Sequence, residues 1–390
     1  MSTASQAGPS HRIAALDGLR GIAVGLVLVH HFIQLPLPRV PGSWQAYLAA
    51  GLGLSFSGVD LFFVISGFLI GGIVLDNRAA SNFYGVFYLR RTLRIVPLYY
   101  VFLLVCWGLA AIAPGMAHPT YPLASYLVFL ANISMTLGNS WDAGFPSLAW
   151  SLAVEEQFYL GLPLLARIVT PRFLCFLALA SLAFAPLART LILLGWPEFS
   201  LGTHILLPCR MDSLAFGLLA AMALRTRIFA AWLKVNPYAP TLAAAALVPL
   251  IAWLTLKRVG PETLAMALVG YSALGAFYAA ILLSVVGGKP SLLARLCQSR
   301  PLTFLGRISY FVYLFQGIAA WVTFRLAGGT GDASLKSFAD ILLAMLALAG
   351  LFLAGAASWK YFESRLLAIG RRFKYRAANE TPPAILPVAG

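Results

Sequence analysis

Charged residues are scarce in this chain. Asp, Glu, Lys and Arg make up 11% of its 390 residues, whereas soluble proteins carry about 25%. Hydrophobic residues make up 60%, and the mean hydropathy is +0.84. Apolar stretches of about 20 residues, the length that crosses a bilayer as a helix, recur along the chain. The composition excludes a soluble enzyme and predicts a polytopic membrane protein.

Cysteine is also rare, and several catalytic motifs are missing. The four cysteines lie far apart in or beside apolar segments, which favours free buried thiols over a disulfide framework; they are Cys106, Cys175, Cys209 and Cys297. The sequence has no metal-ligand spacing, Gly-rich phosphate loop, G-x-S-x-G or H-E-x-x-H. We therefore expect no metal. The polar N-terminus also lacks the features of a cleavable signal peptide.

Eleven apolar segments are candidate membrane spans. They run approximately over residues 21–37, 59–75, 95–113, 122–137, 152–168, 173–194, 207–224, 239–256, 264–286, 308–326 and 338–359. The segment at 122–137 is the weakest, because it is short, begins at a proline and leads into polar residues. We expect it to be re-entrant or interfacial. The sequence thus predicts an all-α bundle of about ten transmembrane helices.

The distribution of basic residues predicts the orientation of the bundle. The formal net charge is +15, and Arg and Lys gather in particular loops between apolar segments. This pattern marks cytoplasmic loops and argues against nucleic-acid binding. We expect both termini in the cytoplasm, with a flexible tail at 1–12, a transmembrane domain at 13–365 and a basic tail at 366–390.

The first predicted span carries an arginine at its start, Arg20, and a histidine near its middle, His31. An ionisable group at mid-helix costs about 2.5 to 3.5 kcal/mol, so it needs a partner or a function. His31 lies about 16 Å beyond Arg20 along a helix, near the middle of the bilayer. A neutral imidazole there can accept a proton from a hydroxyl. The alternative is a histidine bonded to a backbone carbonyl; His30 should point about 100° away.

Two further groups suggest anion binding and a buried carboxylate. Arg90, Arg91 and Arg94 lie where the third span begins, and guanidinium groups there can hold phosphate oxygens. The alternative is anchoring at the lipid headgroups. Glu155 is predicted at a depth similar to that of His31, where it pairs with an arginine or orients the imidazole. The alternative is a structural ion pair with Arg210.

The remaining polar candidates are assigned to acceptor contact or to structure; they are Asp60, Arg210, Asp212, Ser309, Tyr310 and Gln316. Asp60 lies among the small residues of segment 58–72, where close helix packing is the favoured interpretation. Ser309 and Tyr310 can cap a helix or line a cavity.

Six segments in series resemble membrane acyltransferase family 3, which transfers acyl groups to glycans and other hydroxyl-bearing acceptors. In chain order they are LDGLRGIAVGLVLVHHF, GVDLFFVISGFLI, FYLRRTLRIVP, LAWSLAVEEQFYL, RMDSLAFGLLAA and LGRISYFVYLF. They cover about residues 13–320. Each segment alone is a weak signal, but the six in order make the resemblance specific.

The resemblance implies roles for particular residues. Arg20 and His31 match the essential arginine and histidine of the family's first helix. Arg91 and Arg94 match the paired arginines implicated in handling acyl-CoA, and Glu155 matches the glutamate of the W-S-L-x-x-E pattern.

The resemblance also carries one departure. Gln316 stands where many members have a histidine, which affects acceptor specificity more than the reaction. The chain is expected to act as a stand-alone form without a fused hydrolase-like domain.

The implied reaction transfers an acyl group, most simply acetyl, from cytoplasmic acyl-CoA to a hydroxyl of a sugar-containing acceptor. His31 would act as general base or acyl relay, and Arg20 would hold phosphate or stabilise the oxyanion. Direct attack and an acyl-enzyme route both remain open. The acceptor is a cell-surface glycan, a lipid-linked saccharide or a glycosylated metabolite, and the location is the bacterial inner membrane.

Two other functions fit part of the pattern. Buried His, Glu and Arg across many helices also describe a transporter or proton-coupled permease. The sequence shows no internal repeat, which argues against that function. A non-catalytic membrane scaffold is the second alternative.

Overall fold

The computed structural model describes residues 9–113, 118–287, 291–328 and 335–376, and the side chains from residue 14 onward. Regular secondary structure within these ranges is entirely helical, as predicted. The α-helices are α1 (Pro9–Val29), α2 (Trp44–Gly51), α3 (Gly58–Asn77), α4 (Phe83–Ile112), α5 (Leu123–Leu127), α6 (Ala131–Gly138), α7 (Ala149–Ile168), α8 (Pro171–Gly195), α9 (Gly202–Ile205), α10 (Leu207–Ala223), α11 (Arg227–Val235), α12 (Ala239–Leu256), α13 (Tyr271–Val286), α14 (Leu292–Cys297), α15 (Arg300–Leu326), α16 (Phe338–Ser358) and α17 (Ser364–Arg372). Short π-helical segments are His30–Gln34, Met266–Gly270 and Trp359–Glu363, and 3-10 turns are Ser55–Ser57, Phe145–Leu148 and Pro197–Phe199.

Nine helical stretches in the described ranges are long and apolar enough to cross a membrane; they are Ala14–Gln34, Trp44–Asn77, Phe83–Ile112, Pro171–Gly195, Gly202–Ala223, Ala239–Leu256, Met266–Val286, Arg300–Leu326 and Phe338–Arg372. Helix α7 also has a spanning length, with 20 residues. It carries Glu155, Glu156 and Arg167, which lower its mean hydropathy. With α7 included, the bundle agrees with the predicted ten spans.

The segment at 122–137 does not form a continuous spanning helix. It contains α5 with five residues and α6 with eight. Between them Phe129 has a φ of 57°, which interrupts the helical path. The side chain of Gln157 on α7 donates a hydrogen bond of 3.0 Å to the Phe129 carbonyl. This protein donor satisfies a backbone group that lipid could not satisfy.

Glycines allow the central helices to approach closely. Helix α3 packs most extensively against α10, and α1 packs against α15. A Cβ added at Gly67 would lie 2.0 Å from the Leu214 carbonyl oxygen, and one at Gly217 would lie 2.0 Å from that of Val64. The close packing predicted for segment 58–72 is therefore confirmed, and the backbones of α3 and α10 contact directly.

The last membrane helix continues beyond residue 359, where the sequence analysis ended it. Helix α16 passes through the π-helical segment into α17, which ends at Arg372. Helix α17 packs against α4. Arg90 fixes this contact, because its Nε donates to the Gly370 carbonyl at 3.2 Å and its Nη2 donates to the Phe373 carbonyl. The start of α4 and the end of the described chain therefore lie at the same end of the bundle.

Candidate functional site

Two cavities penetrate the bundle and meet at a shared wall. The first, which we name the arginine cavity, has a volume of about 100 Å³ and is lined by Arg20, Ser66, Arg91, Arg94, Glu155 and Tyr159 among others. The second, the histidine cavity, has a volume of about 830 Å³ and is lined by His30, His31, Gln34, Trp141, Trp150 and His204 among others. Val59 and Tyr313 line both cavities.

The arginine cavity gathers charged residues that are remote in sequence. Arg20 comes from α1 and pairs with Asp17 one turn earlier, with an N–O distance of 3.3 Å. Arg91 comes from α4 and places its guanidinium 5.5 Å from the centroid of the Tyr159 ring. Within the described residues, the side chains of Arg91 and Arg94 have no hydrogen-bond partner. Their N–H donors are therefore available to an anion.

Glu155 is held by a short chain of hydroxyl groups. The Tyr159 hydroxyl donates to Ser66 Oγ at 2.9 Å, and Ser66 Oγ donates to Glu155 Oε1 at 2.5 Å. Tyr159 lies one helical turn after Glu155, so both side chains face the same side of α7. Ser66 reaches them from α3. This chain orients the carboxylate beside the arginines of the same cavity.

A π-helical turn shapes the histidine cavity. Residues His30–Gln34 continue α1 as a π-helix, and both His30 and His31 line the cavity, with ring centroids 4.9 Å apart. His30 was expected to point about 100° away from His31. It borders the same cavity, which is wide enough to be lined by two adjacent side chains of one helical turn.

The backbone determines which nitrogen of His31 carries the proton. Nδ1 of His31 lies 3.0 Å from the Val27 carbonyl oxygen. A carbonyl can only accept, so Nδ1 carries the proton and Nε2 of the neutral ring keeps its lone pair. The two interpretations of His31 from the sequence are therefore compatible, since the bond to a carbonyl leaves the other nitrogen able to accept a proton.

The expected similarity in depth did not bring Glu155 and His31 to the same cavity. Glu155 lines the arginine cavity and accepts from Ser66, whereas His31 lines the histidine cavity and donates to Val27. The structure thus brings together Arg20, Arg91, Arg94 and Glu155 at one cavity and places His31 at the other.

Four buried charges form two ion pairs outside the arginine cavity. Arg210 Nη2 lies 2.5 Å from Asp60 Oδ1, and Arg189 Nη2 lies 2.9 Å from Asp212 Oδ2. All four side chains are fully buried. The alternative that paired Arg210 with Glu155 was wrong, because Asp60 from α3 binds it. Such pairs fit a structural role better than acceptor binding.

The other predicted candidates are divided between the cavities and the core. Arg90 holds α17 and does not line the arginine cavity. Ser309 and Tyr310 do line it, with their hydroxyls donating to the carbonyls of Gly306 and Ile95. Gln316 is buried and lines neither cavity.

Sequence reasoning missed several side chains that the structure places at these sites. Ser66, Trp150, Tyr159 and His204 line the cavities, and Arg189 forms a buried ion pair outside them. Arg189 and His204 are ionisable residues in otherwise apolar segments, the signal that identified His31 and Glu155. Ser66 and Tyr159 carried no such signal, because their importance comes from a partner on another helix or turn.

The fold and the two cavities define a polytopic helical membrane protein with a buried polar site. The family profile described as Acyltransferase domain (Acyl_transf_3) matches residues 13–361, so the chain belongs to this acyltransferase family. No solved structure matches the chain significantly.

Curated relatives share the acyltransferase description. The chain is 26% identical over 333 residues to the peptidoglycan O-acetyltransferase OatA of Listeria monocytogenes, covering 78% of this chain and 49% of the relative. It is 27% identical over 365 residues to the acyltransferase MdmB of Streptomyces mycarofaciens, covering 87% of this chain and 88% of the relative. A putative O-acetyltransferase of Staphylococcus aureus (strain COL) is 30% identical over 163 residues, covering 39% of this chain and 24% of the relative. The chain therefore spans about half of OatA and a quarter of the staphylococcal relative.

Proposed function

We propose that the protein transfers an acyl group, most simply acetyl, from cytoplasmic acyl-CoA to a hydroxyl of a sugar-containing acceptor. In this proposal the arginine cavity receives the donor and the histidine cavity receives the acceptor. The observation that carries it is the shared wall, because Val59 and Tyr313 line both cavities. A thioester entering from the arginines would reach the imidazole through that wall.

Two unpaired arginines support the assignment of the donor. Coenzyme A carries several phosphate charges, and guanidinium groups bind phosphate oxygens in bidentate fashion. Arg91 and Arg94 line the cavity without a hydrogen-bond partner in the described residues. Arg20 lines the same cavity, and within the described ranges its side chain makes one hydrogen bond, to Asp17. Arg90 is left out of this role, because its guanidinium binds the carbonyls of α17 and the loop after it.

His31 is the proposed general base. Its Nε2 would take the proton from the acceptor hydroxyl while the oxygen attacks the thioester carbonyl. The carbon–sulfur bond then breaks, the thiolate of coenzyme A leaves, and the imidazolium returns the proton to that thiolate. The Val27 carbonyl supports this role, since it holds Nδ1–H and fixes the ring.

Glu155 would act on the donor side rather than on His31. Its carboxylate lines the arginine cavity and is oriented by Ser66 and Tyr159. A negative charge there would reduce the repulsion between neighbouring guanidinium groups and keep them in position. We assign it as a positioning residue.

The names of the relatives support a hydroxyl acceptor in a membrane setting. OatA is named as a peptidoglycan O-acetyltransferase and MdmB as an acyltransferase. We propose a cell-surface glycan, a lipid-linked saccharide or a glycosylated metabolite as the acceptor. The arginine end of the bundle would face the cytoplasm of a bacterial cell, with both termini on that side. The family match favours this function over a transporter or a scaffold.

Purified protein in detergent tests the proposal directly. Incubation with ¹⁴C-acetyl-CoA and total cell glycolipids should release free coenzyme A and label the glycolipids. The His31→Ala variant should abolish both signals, whereas His118→Ala should leave them unchanged. His118 is exposed and lines neither cavity. If wild-type protein released no coenzyme A from acetyl-CoA, or if His31→Ala retained full activity, the proposal would be wrong.

A further inference from the structure

We propose that His204, together with Trp141 and Trp150, forms a subsite for the sugar ring of the acceptor. In this subsite His204 accepts a hydrogen bond from a ring hydroxyl other than the one that is acylated. The inference rests on the proposed function, which places the acceptor in the histidine cavity. It adds a positioning residue and a place in the cavity where the sugar ring of that acceptor would bind.

The first support is the tautomer of His204. Its Nδ1 lies 2.5 Å from the Tyr271 hydroxyl oxygen, and that hydroxyl lies 2.9 Å from the Pro261 carbonyl oxygen. The phenol has a single proton, and the carbonyl can only accept, so Tyr271 donates to Pro261. Nδ1 of His204 must then donate to the phenol oxygen. In the neutral ring, Nε2 is left as an acceptor.

The second support is that this nitrogen is available. His204 is only 6% exposed, yet it lines the histidine cavity. Nε2 has no hydrogen-bond partner in the part of the chain that the structure describes, and it is not among the fully enclosed polar atoms. It therefore borders the cavity. An acceptor that faces a mostly apolar cavity is available to a hydroxyl of a bound ligand.

The third support is the aromatic wall around His204. Its ring centroid lies 4.8 Å from that of Trp150 and 5.8 Å from those of Trp141 and Phe56. Trp141 also lies edge-on to Trp150, with centroids 6.3 Å apart. Aromatic rings offer flat apolar surface with a negatively polarised face. A pyranose ring offers complementary C–H groups on its faces and hydroxyls at its edge.

The size and polarity of the cavity fit the same ligand. A volume of about 830 Å³ lies within the range of small-molecule sites, which are mostly apolar with a few placed polar groups. His31 and His204 both present an unprotonated nitrogen to this cavity. A ring with several hydroxyls can donate to both nitrogens, losing its proton only to His31. A long acyl chain would have no donor for His204, which favours the acceptor over the donor as the occupant.

The variant His204→Asn separates this role from support of the fold. Its amide nitrogen can still donate to Tyr271, while nothing replaces Nε2. The matched control is His118→Asn, the same substitution at an exposed position. Trp141→Leu is a second variant; the Trp141 side chain is 42% exposed, so its replacement removes little packing from the core.

Kinetics with simple acceptors give the first readout. With acetyl-CoA and the methyl glycosides of glucose, N-acetylglucosamine and rhamnose, His204→Asn should raise the acceptor KM about tenfold, the loss of one hydrogen bond. The kcat, the donor KM and the hydrolysis of acetyl-CoA without acceptor should stay at the wild-type level. A fall in kcat or in hydrolysis with an unchanged acceptor KM would overturn the inference.

A binding measurement makes the inference independent of turnover. Saturation-transfer NMR on detergent-solubilised protein without acetyl-CoA should show transfer to the ring protons of at least one of the three glycosides. The signal should fall in His204→Asn and in Trp141→Leu and persist in His118→Asn. No transfer from wild-type protein, or equal transfer from all variants, would overturn it. If binding is seen but wild-type protein does not use acetyl-CoA, the proposed donor fails while the subsite stands.

Discussion

The hydroxyl groups of Tyr313 and Ser151 lie 2.6 Å apart at the boundary between the two cavities. Tyr313 lines both cavities, and Ser151 lines the arginine cavity. The tyrosine hydroxyl also lies 3.3 Å from the Leu148 carbonyl, so two contacts hold its side chain in place. Its ring therefore forms part of the barrier that a thioester would have to pass.

Replacing the Tyr313 ring by a smaller side chain should uncouple acetyl-CoA hydrolysis from acetyl transfer. We expect Tyr313→Leu to raise the ratio of acetyl-CoA hydrolysis to acetyl transfer several-fold, because water gains access to the thioester. Tyr313→Phe keeps the ring and loses only its hydrogen bonds, so its ratio should stay closer to wild type. Both products can be measured in one assay with ¹⁴C-acetyl-CoA. A ratio unchanged in Tyr313→Leu would show that the ring does not separate donor from water.

Loss of the Arg91 guanidinium should weaken the binding only of acyl donors that carry phosphate groups. Loss of a charge-assisted hydrogen bond costs about 1.5 to 3 kcal/mol, so Arg91→Ala should raise the KM for acetyl-CoA about 10- to 100-fold. With S-acetyl-N-acetylcysteamine, which has the thioester but no phosphate, the variant should match wild type. Arg90→Ala serves as the comparison, since Arg90 binds carbonyls at and after the end of α17. An equal rise in KM in both variants would contradict the separation of these neighbours.

The contribution of Glu155 to activity should depend more on its negative charge than on its hydrogen bond with Ser66. Glu155→Gln keeps an oxygen that can accept from Ser66 but removes the negative charge beside the arginines. We expect kcat/KM for acetyl-CoA to fall about tenfold or more, as for loss of a charge-assisted contact. Ser66→Ala, which leaves the charge in place, should have a smaller effect. The reverse order of effects would indicate that orientation of the carboxylate matters more than its charge.

The Arg189–Asp212 pair should contribute to stability rather than to catalysis. Arg189 makes hydrogen bonds to the carbonyls of Ala267 and Cys209 as well as to Asp212, and both charged side chains are fully buried. Arg189→Met leaves Asp212 buried without its cation and should cost about 3 to 5 kcal/mol in the free energy of unfolding. Thermal unfolding in detergent would measure it.

The double variant Arg189→Met/Asp212→Leu provides the control for that prediction. It removes both charges together, so no uncompensated charge remains in the core. Its melting temperature should lie between those of Arg189→Met and wild type. A double variant less stable than Arg189→Met would contradict this, and would mean that the hydrogen bonds from Ser272 Oγ and the Ser213 N–H to the carboxylate outweigh the cost of its unpaired charge.

Position along a helix, which the sequence predicts, does not determine the direction in which a side chain points. Rise per residue gave similar expected depths for His31 and Glu155. The direction in which each side chain points depends on how its helix is rotated against its neighbours. Glu155 therefore lies with Arg91 and not with His31. The arginine cluster was predictable because Arg91 and Arg94 share one helical face.

Partners on remote segments were beyond sequence reasoning. Arg189 meets Asp212 from a different helix, and His204 meets Tyr271 more than sixty residues later. Apolar periodicity indicates a buried face but does not say which helix covers it. The all-α fold, by contrast, followed from composition and segment length alone, because only helices and closed barrels cross a bilayer.

The π-helical turn at His30–Gln34 makes the first membrane helix sensitive to its exact number of residues. Deleting one residue from that turn would restore regular α-helical hydrogen bonding and improve local helix geometry. Deleting Phe32 or Ile33 would leave the two imidazoles in register with Arg20 but would rotate the residues after the turn by about 100° relative to them. Gln34, Leu35 and Arg39 line the histidine cavity, so a more regular first helix would give this cavity a different wall.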